Sequence, residues 1–319
     1  MTRVAAVDCG TNSIRLLIHD TETGEVCRRN TIVRLGQGVD ETGKFASEAI
    51  ERTRVALADY VDEIRREHVT RVRMVATSAT RDASNREDFF AMTRELLGKI
   101  QPGAEAEVIS GEEEAALSFA GATADLDPER GPFCVIDLGG GSTEFVMQTA
   151  DQLHAISTQM GCVRITERFM RTDPPTAEET AAARDYIADR IAEASKVVPF
   201  AQARTFVGCA GTFTTLSALA QKLDSYDPKR IHMSEISFGR IREVAEDLRN
   251  KTAEERRINP VVHPGRADVI AAGSAVVEVL IDFFEHEANA SRIVVSEKDI
   301  LDGIVESFRI GTDTSVGSV

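Results

Sequence analysis

Two short stretches of this chain carry the residue types that hold a phosphate. The first to stand out is Cys134-Val-Ile-Asp137-Leu-Gly139-Gly140-Gly141-Ser142-Thr143-Glu144. An apolar run ends in an aspartate, and three glycines follow. Glycine has no Cβ, so the backbone there can bend tightly and let an anion approach its N–H groups. Ser142 and Thr143 add hydroxyl donors, and Asp137 is the residue type that holds a hydrated magnesium ion against that anion. The same pattern occurs at Val4-Ala-Ala-Val-Asp8-Cys-Gly10-Thr11-Asn12-Ser13-Ile-Arg15, which aligns without a gap. Asp8 falls on Asp137, Gly10 on Gly139, Ser13 on Ser142, and Arg15 on Glu144.

The elements that must position these residues follow from the repetition. Each aspartate closes a buried strand, each glycine turn reverses the chain, and a second strand leaves it. An internal duplication of this kind predicts two similar domains facing one another, with a phosphate touching both turns. Further along, Val69 to Thr77 reads as a strand that ends in Thr77-Ser78-Ala-Thr80-Arg81. Ser78 and Arg81 are residue types that bind phosphate oxygens, and Asn85 is placed to cap a helix from Arg86 to Ile100. Ser47 is a cap candidate for another helix, and Thr176 for a long one ending near Lys196. Glu112, Glu113 and Glu114 open a helix after Ser110-Gly111, where carboxylates suit the positive helix end. Successive helical residues point about 100° apart, so only one of the three faces a given site.

These motifs together resemble the exopolyphosphatase and guanosine pentaphosphate phosphatase branch of the sugar-kinase, Hsp70 and actin superfamily. The resemblance rests on Asp8 to Leu16, Ala76 to Arg81, Ile109 to Ala115, Asp137 to Glu144 and Gly161-Cys-Val-Arg164. Ala210-Gly-Thr212, Arg266-Ala-Asp268 and Val295-Ser-Glu297 complete it. It implies an α/β fold of two ribonuclease H-like, actin-like ATPase domains with a cleft between them. It aligns the family's catalytic glutamate with Glu114, with Glu113 as the alternative, and makes Arg266 a phosphate contact. Phosphate binding is then expected at Gly10, Thr11, Asn12, Ser13, Arg15, Arg81, Gly139, Gly140, Gly141, Ser142 and Arg266. Magnesium, or manganese, is expected at Asp8, Asp137 and Glu144. Hydrolysis of a phosphoanhydride needs charge neutralisation, an in-line water and a group that orients it; Glu114 fills the last role.

The implied reaction is release of the terminal phosphate of inorganic polyphosphate. Guanosine pentaphosphate hydrolysis is the alternative, and a sensor that binds guanosine penta- or tetraphosphate with little turnover is a third reading. A sugar-kinase-like transferase is disfavoured by the Ile109–Ala115 motif. Other family members carry an extra C-terminal helical domain that this chain lacks, which points to short polyphosphates. The family also implies a homodimer.

Composition narrows the classes. The 319 residues suit about two domains, expected at 1–124 and 125–310, with the closing helix of about 299–310 packing back on the first and a disordered tail at 311–319. A net charge of −15 argues against a nucleic-acid partner but not against a polyanionic substrate met by a local basic groove. No stretch approaches the roughly 18 apolar residues of a membrane helix. The first charge comes too early for a signal peptide, so a cytoplasmic location is expected. Five scattered cysteines without a Cys-x-x-Cys pair make a zinc site or a thiol nucleophile a poor fit.

Overall fold

The structure is a computed structural model that describes residues 3–313. The chain forms two compact units. One runs to Gly121 and takes up the closing helix from Ile300; the other spans Ala122 to Asp299. The division thus falls before the Asp125–Gly131 turn, and the closing helix belongs with the first unit.

In the first unit, β1 (Arg3–Cys9), β2 (Ser13–Asp20), β3 (Gly24–Ile32), β4 (Arg71–Ala76) and β5 (Ala106–Val108) form one sheet in the order β3-β2-β1-β4-β5. The first three strands are antiparallel; β4 and β5 add in parallel. Strand side chains alternate between faces, and here both faces are covered. Ala5 and Val7 share one core with Leu57, Ile64 and Phe89 from the helices Ser47–Arg66 and Arg86–Leu97. Val4 and Ala6 share another with Ile300 and Ile304 of the closing helix, Ile300–Asp313. Burial on both faces explains why β1 reads as an unbroken apolar run. Arg28 of β3 donates to both carboxylate oxygens of Asp302, at 3.1 and 2.7 Å, which ties that helix down. Its Gly303 sits so close to the Leu117 carbonyl that an added methyl would overlap it. The helix runs past Ile310 to Asp313, so part of the expected tail is helical; 314–319 lie outside the described residues.

The second unit repeats the plan. β6 (Phe133–Leu138), β7 (Thr143–Gln148) and β8 (Leu153–Thr158) are antiparallel, and β9 (Thr205–Cys209) and β11 (Arg292–Val295) add in parallel. β10 (Ser234–Ser237) completes the order β10-β11-β9-β6-β7-β8. Apart from β10, the two sheets share strand order and direction, the ribonuclease H-like arrangement in both units. The core of the second unit gathers Ile136, Phe145, Phe206 and Phe213 with Ile187, Ile241, Leu280 and Phe284.

Helix starts followed local chemistry only in part. Thr176 makes a capping box with Glu179. Ser47 is the first residue of its helix rather than the cap. Asn85 does not cap with its side chain; it bonds the Phe45 backbone through both ends of its amide, at 2.8 and 3.0 Å.

Candidate active site

Each unit carries one glycine turn, and the two turns are built alike. Gly10 N–H donates to Ser13 O at 2.9 Å, and Gly139 N–H to Ser142 O at 3.0 Å. Both turns join strands whose registers set the flanking residues opposite each other: Asp8 faces Arg15, and Asp137 faces Glu144. The duplication read from the sequence is therefore a duplication of geometry, with one charge reversed.

In the first unit that charge makes an ion pair. Arg15 donates Nε and Nη2 to Asp8 Oδ2, at 3.0 and 2.7 Å, and Asp8 is buried. Asp8 and Arg15, expected as a metal ligand and a phosphate contact, are thus partners of each other. The Thr11 carbonyl of the turn accepts from Gly36 N–H at 2.8 Å; Asn12 O accepts from Val33 and Arg34, at 3.0 and 2.9 Å. A methyl on Gly36 would overlap Thr11.

The three glutamates of the helix Gly111–Thr123 separate as helical geometry requires. Glu112 stays at the helix start, where its own N–H and the Ser110 hydroxyl hold its carboxyl below the usual range. Glu113 pairs with Arg73 at 2.7 Å on the exposed side. Glu114 is buried and accepts from Arg81 Nη1 at 2.8 Å; the same nitrogen donates to Ile109 O at 3.0 Å. Arg81 lies on the short helix Ser78–Asp82 that follows β4. Ser78 Oγ, Thr80 Oγ1 and Arg81 Nη2 in that segment are buried with no hydrogen-bond partner among the described residues. Three donor-bearing groups left open in five residues suit an anion. Thr80 belongs to the hydroxyl-rich stretch seen in the sequence but was not singled out there beside Ser78 and Arg81.

In the second unit the turn is fastened to the helix Cys162–Phe169. Gly141 O accepts from Gly161 N–H at 3.1 Å, Gly139 O from Cys162 at 3.0 Å, and Gly140 O from Val163 and Arg164, at 2.9 and 3.2 Å. Arg164 is buried, and its Nε also donates to Gly141 O at 2.8 Å. Asp137 and Glu144 are buried carboxylates on neighbouring strands, and Ser157 Oγ donates to Glu144 Oε1 at 2.6 Å. Ser157 is the register partner of Glu144 in β8, a relation visible only once strand pairing is known.

Arg266 lies against Gly211, where an added methyl would overlap its guanidinium, and donates to Thr215 Oγ1 at 3.4 Å. It therefore sits on the Ala210-Gly211-Thr212 turn; Ala210 takes a left-handed φ of 67° there. His263 accepts from Gly265 N–H through Nδ1 at 3.1 Å and so shapes the Arg266 loop. Partial burial, then the Arg266 charge, holds its imidazole below the ordinary range. Tyr226, not singled out in the sequence, donates to Glu297 at 2.6 Å.

A magnesium ion is commonly held by one or two carboxylates, with water and substrate phosphates completing its shell. Asp137 with Glu144 fits that description: two buried carboxylates in register beside a turn able to receive phosphate. Among the described residues no group of three or more His, Cys, Asp or Glu forms a metal cluster, so a fully protein-ligated ion is not the fit. The cysteines offer no nucleophile: all five are buried, and burial pushes the Cys162 thiol up to about 11. No helix among the described residues is long and apolar enough to cross a membrane.

Residues 17–308 match the Ppx/GppA phosphatase family. Exopolyphosphatase 2 of Mycobacterium tuberculosis is 51% identical over 315 residues, which cover 97% of this chain and 99% of that one. A solved exopolyphosphatase-like protein superposes with a TM-score of 0.90 at 39% identity, covering 96% of this chain and 98% of that one. The crystal structure of the Aquifex aeolicus Ppx/GppA family member gives 0.78 at 32% identity and covers 99% of both chains. With two matching turns, a buried glutamate beside an arginine, and similarity along nearly the whole chain, this protein belongs to the Ppx/GppA phosphatase family.

Proposed function

We propose that the protein is an exopolyphosphatase that releases the terminal phosphate of inorganic polyphosphate. The observation that carries the reading is the buried Glu114, held by Arg81 beside a segment rich in unpartnered donors. A carboxylate fixed in this way can orient a water and take its proton. The Gly139–Ser142 turn receives the terminal phosphoryl oxygens, and the Gly10–Ser13 turn, Arg81 and Arg266 bind phosphate oxygens as well. Asp137 and Glu144 would hold magnesium through water, which when bound supplies charge neutralisation to the phosphates. Arg15, already paired with Asp8, acts by keeping that carboxylate's charge from repelling the substrate.

No covalent intermediate enters this scheme. Water attacks phosphorus in line, its proton passes to Glu114, and the shortened polyphosphate leaves as an oxyanion. A cytoplasmic location belongs to the proposal through the sequence reading, and a homodimer through the family resemblance alone. Guanosine pentaphosphate is the second reading, since a glycine turn that receives a terminal phosphate does not depend on what that phosphate is attached to. The test is phosphate release, with magnesium, from polyphosphates of graded length and from guanosine pentaphosphate side by side. Fast release from polyphosphate supports the first reading, and fast release from the nucleotide alone replaces it with the second. Silence on both, with tight nucleotide binding, makes the protein a sensor.

A further inference from the structure

We infer that Arg164 is a positioning residue that sets the direction of the Gly139–Ser142 turn; this rests on the reading of that turn as a phosphate site. The first N–H groups of a helix have no partner within the helix. In the helix Cys162–Phe169, the N–H groups of Cys162, Val163 and Arg164, with that of Gly161 before them, are spent on the carbonyls of Gly139, Gly140 and Gly141. In a trans peptide the N–H points opposite to the C=O. Drawing these three carbonyls toward the helix aims the N–H groups of Gly140, Gly141 and Ser142 the other way. The helix start does not itself receive the anion; it turns the glycine amides so that they can.

Three successive glycines have the widest conformational freedom available to a chain, so their peptide planes need holding. Arg164 adds a side-chain contribution, a charge-assisted bond from Nε to Gly141 O at 2.8 Å, made by a buried guanidinium. The other turn shows what happens where the sequence is less permissive. Thr11 O and Asn12 O are held by the backbone N–H groups of Val33, Arg34 and Gly36. Gly161 has a matching role, since a methyl there would overlap the carbonyl of Gly140 and push the turn away.

The bond leaves from Nε, and lysine has a methylene at that position. Arg164→Lys therefore keeps the charge and loses the bond, whereas Arg164→Met loses both. Both variants are expected to lose about tenfold or more in turnover of a short polyphosphate and a similar factor in orthophosphate affinity by calorimetry. Gly161→Ala should show the same pair of losses with every charge intact. Urea midpoints identify any variant that fails to fold, and the remaining ones decide. Lysine restoring turnover and phosphate binding to within about twofold would overturn the inference, because charge alone would then suffice. Parental behaviour in Gly161→Ala would overturn it too. If the parent binds orthophosphate but releases none from polyphosphate, the functional reading fails. The orthophosphate affinities of the variants still decide the role of Arg164.

Discussion

Replacing Glu114 by glutamine separates catalysis from architecture. The carboxylate accepts from Arg81 Nη1 at 2.8 Å, and glutamine keeps a carbonyl oxygen at the same reach. The exchange turns an ion pair into a bond from the same guanidinium to a neutral amide oxygen, which costs about 1 kcal/mol of stability. The amide cannot take a proton, and loss of a general base lowers turnover about 10²- to 10⁴-fold, or roughly 3–5 kcal/mol of barrier. Turnover should therefore collapse while KM and the urea midpoint move little. Glu113→Gln is the control one residue away. That side chain is half exposed and pairs with Arg73, which also holds Glu107 at 3.0 Å. An exposed pair is worth at most about 1 kcal/mol, so turnover should stay within about twofold. The assay is initial-rate phosphate release from a defined short polyphosphate with magnesium, beside urea unfolding. Near-parental turnover in Glu114→Gln, or an equal loss in Glu113→Gln, would refute the assignment of the base.

Arg15→Met should cost roughly 3 kcal/mol or more in urea unfolding, because buried Asp8 loses the charge that opposes it; Asp8→Asn should cost less. Chelation of divalent ions should abolish phosphate release, and Glu144→Gln should raise the magnesium concentration needed for half-maximal rate; unchanged dependence would count against the Asp137–Glu144 pair. His263 has a folded-state pKa below its unfolded one, so its contribution to stability is complete above about pH 6.5 and is lost as pH falls through the folded value. A urea midpoint that falls with acid in the parent, and falls less in His263→Asn, is the expected result. Gly303→Ala should destabilise by about 1–3 kcal/mol through overpacking against the Leu117 carbonyl, read as a lower thermal midpoint.

How much of this was legible beforehand depended on the range of the interaction. The duplicated Asp–Gly–Ser turns were visible because a strand, a tight turn and a strand are local, and the shared Gly-to-Ser closing bond follows from the spacing. The choice between Glu113 and Glu114 was not local. The different surroundings of the two come from Arg73 and Arg81, which reach the helix from β4 and from the segment after it. The Asp8–Arg15 pair could have been read from register, since strands joined by this turn set those residues opposite; the difficulty was weighing an ion pair against two separate ligand roles. The β10 strand was missed because Ser-Glu-Ile-Ser offers one apolar residue, and only pairing with β11 makes it a strand. Arg164 was legible as part of a motif, but its work on Gly141 O depends on where a helix starts in space.

The closing helix gives the first unit an unusual order of assembly. Val4, Ala6, Leu17 and Val75 are made well before Ile300, Leu301 and Ile304, which cover them. A unit whose covering helix is encoded after the whole of the second unit leaves the ribosome with one oily face still bare. Until Ile300 to Ile304 have been made, that face is open to chaperones and to other nascent chains. A ribosome stalled before codon 300 would release a first unit with its sheet half clothed, a natural substrate for proteolysis.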